Sequence, residues 1–539
     1  MQIYLLDGYL DEPSCLGVPP YISPHIRYTW GALLHSGFND TELTYLTIDQ
    51  FRTNKQKYLQ EIKKADLFII IAGTTVPGNY LGGQPISLTE IKKLGEKIHK
   101  PKKILGGPIT LVIKKLKKYD HVCEEITALQ LYKILTGKNI SSPKNIEKHI
   151  AHWAVRGAKV TRKHPEHPHL ICEIETFRGC PRSGHCHFCS EQLKKIHYQR
   201  KPLSIIREVK ALANQGNHYY RLGCQTDLLS YQHHKNSQGE LIPNPQAIKK
   251  LYQGIRKADP ELQVLHMDNI NPATIVKYPY KSKNALEIIA QYNTTGDTAA
   301  FGLESADPKV IKKNNIETDP ETALKAIKII NKICGFKKQG IPALLPGLNF
   351  LHGLKGERKE TMNYNYNFLK KIIEKDLLLR RINIRQVIPI GNYSPKKINK
   401  NKFKNYKKKI NNNINRPMLK KVFPRGTIIR KVRTESHKGK TTFGRPPGTY
   451  PILVGIPGKL KLNQYINVKV IDHGYRSVTA LPWPLKINKA SIEQLTAFPG
   501  IGKKRAHKIF LQQPETAGEL KKILGNSFPF SRWKNWFIY

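Results

Sequence analysis

Three cysteines within ten residues, Cys180, Cys186 and Cys189, constrain this chain more than any other feature of its sequence. They stand in the run Thr176-Phe177-Arg178-Gly179-Cys180-Pro181-Arg182-Ser183-Gly184-His185-Cys186-His187-Phe188-Cys189, and the other cysteines are scattered. A cluster of this kind points to metal ligation in a reducing compartment rather than to a disulfide framework. Thiolates from one short loop can hold a [4Fe–4S] cube, and three of them leave the fourth iron open to a chelating ligand. Zinc is the competing occupant, because the same run offers His185 and His187 as further tetrahedral donors. A structural zinc site usually draws a second ligand pair from elsewhere, and no second C-x2-C is present.

A chain of 539 residues is too long for one core, so several domains are expected. Residues 1–150 read as a Rossmann-like α/β unit. Apolar runs at Ile3–Leu6, Leu67–Ile71 and Lys103–Leu105 are separated by amphipathic stretches such as Leu88–His99. Gly73 and Gly106-Gly107 close two of those runs, where glycine serves equally for a tight turn or for close approach to a ligand. Residues 165–392 alternate again, with strands expected at Leu170–Thr176, His218–Leu222, Gln263–Met267, Ala299–Leu303, Leu348–His352 and Arg381–Val387. Six βα units suggest a partial barrel with its reactive end at the strand C-termini. Residues 393–421 are dominated by Lys and Asn and read as a basic, solvated linker, with a phosphate backbone as an alternative neighbour. Residues 422–482 turn β-prone, as a small barrel would, and residues 486–530 turn helical.

Two later motifs join the cysteine loop to a known family. Gly302-Leu303-Glu304-Ser305-Ala306-Asp307-Pro308 follows the fourth strand, and Asn349-Phe350-Leu351-His352-Gly353-Leu354-Lys355-Gly356-Glu357 follows the fifth. Taken in order with C-x5-C-x2-C, they resemble the radical S-adenosylmethionine (SAM) superfamily. That resemblance implies a partial (βα)6 barrel enzyme using a [4Fe–4S] cluster and SAM. In such an enzyme an electron from the cluster cleaves the sulfonium to a 5′-deoxyadenosyl radical. It implies Cys180, Cys186 and Cys189 as cluster ligands, with Phe188, Glu304, Ser305 and Gly353 near the cofactor. The usual family loop is C-x3-C-x2-C, and Lys355 replaces a usual proline. Gln225, Asp268 and Arg385 fall at strand ends, where polar groups suit a cofactor's charged ends; a capping or turn role is the plainer reading of each. Cys224 could face substrate, although a buried, inert thiol is the plainer reading.

In this superfamily an α/β domain before the barrel often binds cobalamin, and the Gly106-Gly107-Pro108 strand end resembles that fold. The D-x-H-x-x-G loop that would ligate cobalt is missing, since Asp7 is followed by Gly8-Tyr9-Leu10. Cys15 and Cys123 are too few for a second cluster. The segment Phe443–Tyr450 with Val468–Asp472 resembles a TRAM/OB-like RNA-binding barrel. Ile487–Gly502 leading into Lys503–Phe510 resembles a helix-hairpin-helix, whose bare backbone at Gly500 and Gly502, beside Lys503 and Lys504, suits a phosphate; docking of a protein partner is the alternative. The order of modules resembles archaeal-type radical SAM proteins with a C-terminal helix-hairpin-helix.

Lys and Arg outnumber Asp and Glu 90 to 40, a formal charge of +50 that favours a polyanion partner, although a lysine-rich proteome would produce the same bias. The expectation is therefore an enzyme that modifies RNA, tRNA above all, served by a low-potential electron donor. DNA repair or processing, and modification of a peptide or small molecule, are the alternatives. The first residues lack a basic n-region, and no apolar run approaches a membrane span, so a soluble cytoplasmic protein is expected.

Overall fold

The computed structural model describes residues 1–10, 21–74, 83–182 and 184–539; Cys15 and Ser183 lie outside them. Near the N-terminus, parallel strands Ile3–Asp7, Leu43–Thr47, Leu67–Ile71, Lys102–Gly106 and His121–Val122 form one sheet in the order second, first, third, fourth, fifth. Its third strand, LFIII, is buried along its whole length, because the sheet is covered on both faces. Gly107 closes the fourth strand at φ +88°, where an added Cβ would meet the Ala72 carbonyl oxygen at 2.5 Å. Close packing of backbone on backbone, rather than ligand approach, accounts for that glycine.

The barrel strands are Ile171–Glu175, Tyr219–Gly223, Val264–Met267, Asp297–Glu304, Leu344–His352 and Arg381–Gln386, all parallel to their neighbours. The third and fourth are joined at Asn269 and Ala300, giving an open arc of six strands. Tyr21–Ile22 adds to the free edge of the first. Below that edge Arg27 donates to the Glu208 carboxylate at 2.7 Å, and Arg200 shares the same carboxylate. All three side chains are fully buried, so this cation–anion–cation group ties the N-terminal helix Pro24–His35 to the barrel.

Residues 393–421 are not a solvated linker. They contain the helices Lys400–Ile410 and Arg416–Val422, joined through Asn411–Asn415. Tyr406, Ile410, Ile414, Met418 and Val422 recur every four residues and are buried, while Lys408, Lys409 and Lys420 between them are exposed. An apolar stripe beneath the charge was enough to dock the helix on the barrel.

Strands Ile428–Lys438, Thr441–Arg445, Leu453–Pro457, Tyr465–His473 and Ser477–Pro482 close into a barrel of order first, second, third, fifth, fourth, with the third and fifth parallel. Beyond it, helices Ile492–Ala497 and Lys503–Gln512 flank the turn at Pro499–Gly502, the first opened by a capping box of Ser491 and Gln494. The C-terminal aromatic tail folds back over them: Phe498, Phe528, Trp533, Trp536 and Phe537 form a separate small core, and Phe537–Ile538 pairs with Leu485–Lys486. Among the described residues no helix is long and apolar enough to cross a membrane.

Candidate active site

Parallel barrel strands normally carry apolar residues toward the lumen. Here the alternation is reversed. Glu173 and Glu175, Arg221, His266 and Asp268, Thr298, Asn349 and Asn383, and Arg381 and Arg385 point inward, while Ile174, Leu222, Met267, Phe301, Leu348 and Ile384 join the outer core. The lumen opens into a cavity of about 1080 Å³ at the strand C-termini. Gly73, Thr74, Pro108 and Leu111, from the strand ends of the N-terminal sheet, line the same cavity.

Cys180, Cys186 and Cys189 all reach this cavity, each half-buried. The short hairpin of Phe177–Arg178 with Tyr198–Gln199 launches their loop. Its far side is pinned where Asn315 donates to the His185 carbonyl at 3.0 Å and the His187 N–H reaches the Asn314 carbonyl at 3.1 Å. Arg182 donates to Cys186 Sγ at 3.4 Å and pairs with Glu317 at 3.0 Å. Burial pushes all three thiols up, Cys189 to about 12. Thiols so placed remain protonated unless a cation replaces the proton, which suits a metal-loaded loop. Among the described residues no three His, Cys, Asp or Glu side chains converge on a single ion. A cubane asks instead for one iron per thiolate.

Of the other expected cofactor residues, Phe188, Glu304, Gln225, Asp268 and Arg385 line the cavity. Phe188 meets Tyr393 edge-on at 6.3 Å and forms an apolar wall beside the cysteines. Glu304, at φ +61°, ends the fourth strand; enclosure pushes its carboxyl up to about 8, against the pull of Arg385. Gln225 is buried with its Oε1 unpartnered. Ser305 and Gly353 do not reach the cavity wall. The Ser305 hydroxyl accepts from the Asp307 N–H at 3.1 Å and faces Asn365, while the Gly353 N–H donates to Glu357 at 2.9 Å. Both shape turns, because the chain must bend sharply after each strand. Cys224 stands on the cavity wall at φ +57°, where the substrate-facing reading puts it rather than the buried, inert one.

Glu173, Arg221, His266, Arg381 and Asn383 escaped the sequence reading. Their signal was present: charged or amide residues at every second position of strands that should read apolar throughout.

In the C-terminal unit, Gly500 has φ +88°, Gly502 precedes the helix, and Lys503 and Lys504 are exposed. Arg505 is occupied, donating to the Gly500 carbonyl at 3.0 Å and to Ser527.

A six-stranded parallel arc with a thiol loop at its mouth defines a class of enzyme, and comparison with known proteins specifies it. Residues 174–367 match the family model of the radical SAM superfamily. An uncharacterized protein of Archaeoglobus fulgidus is 42% identical over 97% of this chain and 98% of its own length. One of Methanocaldococcus jannaschii is 41% identical over 88% of this chain and 92% of its own. Among solved structures, the radical SAM methyltransferase TsrM of Kitasatospora setae, with cobalamin and a [4Fe–4S] cluster bound, aligns at TM-score 0.48 and 14% identity over 72% of each chain. The cobalamin-dependent enzyme OxsB aligns at TM-score 0.46 and 12% identity over 76% of this chain and 55% of that one. The chain belongs to the radical SAM superfamily, in a lineage shared with these archaeal relatives. It is a radical SAM enzyme, with a [4Fe–4S] cluster and SAM as cofactors and a need for an electron donor.

Proposed function

We propose that this enzyme modifies RNA, tRNA above all, with Cys180, Cys186 and Cys189 holding the cluster at the barrel mouth. When bound, the cluster supplies the electron that cleaves SAM to a 5′-deoxyadenosyl radical, able to take hydrogen from an unactivated C–H. Arg385 suits the carboxylate of the methionine end, and Glu304, near it at the lumen mouth, offers a carboxyl to hydrogen-bond the ammonium. Gln225 and Asp268 offer hydrogen-bond acceptors across the lumen, and Phe188 excludes water from the thiol side.

What supports the RNA reading is a set of cations that neighbour one another between the small barrel and the chamber. The closed C-terminal barrel has the strand order of an OB fold, whose turn between the fourth and fifth strands commonly meets oligonucleotides. Here that turn presents Tyr475, 51% exposed, and the exposed Arg476. Arg476 lies within electrostatic reach of Arg381 and of Lys407, and Lys407 of Arg385. An aromatic ring followed by cations is how a single strand is stacked and its phosphates tracked. The turn at Gly500 and Gly502, with Lys503 and Lys504, would add a helix-hairpin-helix grip on the phosphate backbone.

Replacing Cys180, Cys186 and Cys189 by Ala is expected to abolish bound iron and SAM cleavage, while Cys334→Ala, at a buried site of the core, retains both. Iron content and 5′-deoxyadenosine release are the measurements; full iron in the triple variant would discard the ligand assignment. Nucleoside mass spectrometry of RNA from cells with and without the gene tests the substrate.

A further inference from the structure

The small C-terminal barrel does not hang beside the radical barrel but sits across its lower end. Tyr465 approaches His169 and Tyr219 at 3.5 Å, and Lys431 donates to Gln263 at 3.1 Å, all at the N-terminal ends of barrel strands. From there one loop of the small barrel rises into the lumen. The Thr449 N–H donates to His266 Nδ1 at 3.2 Å, and the Tyr450 hydroxyl donates to Asp268 at 3.2 Å. Arg380 holds the Tyr450 carbonyl at 2.7 Å, and the Arg381 guanidinium lies 4.3 Å from the centre of the Tyr450 ring.

Strand register makes the lumen above that ring a stack of layers. Ala300, Gly347 and Arg381 share the lowest of these, one step above Thr298, and Gly302, Asn349 and Asn383 share the next; beyond a bulge, Glu304 beside Phe350 and Arg385 beside Leu351 stand nearest the mouth. Four residues of strand separate Glu304 from Ala300, roughly 13 Å. Ala300, Gly302 and Gly347 contribute almost no side chain, so this depth is hollow where barrels are usually filled. Thr298, 1% exposed, turns a hydroxyl without a partner onto the wall of the same cavity.

We infer that the C-terminal barrel supplies the floor of the substrate chamber, and that Tyr450 with Arg381 selects the reacting group: a planar nucleobase extruded from RNA, read along its edge by Asn349 and Asn383. The inference rests on the RNA reading and gives it a place. Amide side chains pair with base edges, and aromatic and guanidinium planes stack on base faces. Asn383 donates to Asn349 at 2.7 Å and accepts from Arg381 at 2.8 Å, so both amides are held in fixed orientation above the floor. Extrusion of a base into an enclosed pocket is the general solution for chemistry on a nucleotide.

The test uses the reconstituted holoenzyme, bulk RNA from cells lacking the gene, and the variants Tyr450→Phe, Tyr450→Ala, Tyr450→Trp and Asn383→Leu. Tyr450→Phe keeps the ring and should stay within about three-fold of wild type in kcat/KM. Tyr450→Ala opens the floor and should lose about ten-fold or more, mainly in KM, with more than one SAM cleaved per nucleoside modified. Tyr450→Trp fills the lowest layer and should block modification. Asn383→Leu tests the wall if the floor variants fail to fold, and should raise KM similarly. RNA modified by wild type and by every folded variant at equal kcat/KM and equal coupling overturns the floor while leaving the RNA reading standing. RNA untouched by wild type, with a metabolite extract consumed instead, overturns the extruded base and the RNA reading together.

Discussion

Asp297 begins the fourth barrel strand, fully buried, and accepts from the Met267 and Thr298 N–H groups at 3.0 and 2.7 Å. Burial pushes its carboxyl up to about 8, while the same burial drives its neighbour His266 down to about 3. An acid whose folded value lies above its unfolded one stabilises the fold below the unfolded value; that contribution is lost as pH climbs through about 8. Asp297→Asn keeps an acceptor oxygen and should flatten the fall in Tm between about pH 4 and about pH 8. Parallel Tm curves for the two proteins would show that the acid is not responsible. At this scale the sequence singled out the three cysteines by their spacing, and all three line the cavity. The paired lumen residues Glu173, Arg221 and Asp268 lie 2.9 and 3.0 Å apart on three separate strands, and no local pattern announces such a meeting.

Elements were read well where short apolar runs alternate with amphipathic helical stretches. The six barrel strands lie where alternating patterns put them, shifted by a few residues at their ends. The Lys/Asn segment was misread because charge density hid its apolar stripe, although Tyr406, Ile410, Ile414, Met418 and Val422 keep helical spacing. The aromatic tail is a parallel case: its rings are the core of the last unit, completed only when Phe537–Ile538 pairs with a strand some fifty residues earlier. Trp536 is buried against Phe498 and Trp533. Trp536→Ala should cost about 3–5 kcal/mol in that small core. Rapid hydrogen exchange and proteolysis across residues 486–539, with iron content unchanged, are the expected outcome; protection equal to wild type would contradict it.

Across the whole molecule, three units turn toward one chamber: the N-terminal sheet above, the cysteine-bearing barrel around it, and the small barrel beneath. A charge of +50 then matters for where it is placed, along Arg476, Lys407 and Arg385 and at the C-terminal turn. Replacing Lys503 and Lys504 together by Ala should weaken RNA binding across sequences and lower the slope of log K against log salt by about 1–2. An unchanged slope would remove that turn from the proposed RNA contact.

The sequence by itself determined the cofactor class, because the thiol spacing and the two strand-end motifs are local and each encodes its own chemistry. It determined the run of βα units as well, since burial of one face writes its period along the chain. Only the tertiary structure decided what the chamber contains. The inward charges pair across strands far apart in the chain, and Tyr450 enters from a unit with no sequence contact to the barrel it closes. Packing brings such residues together through long-range geometry, which no short stretch of residues can carry.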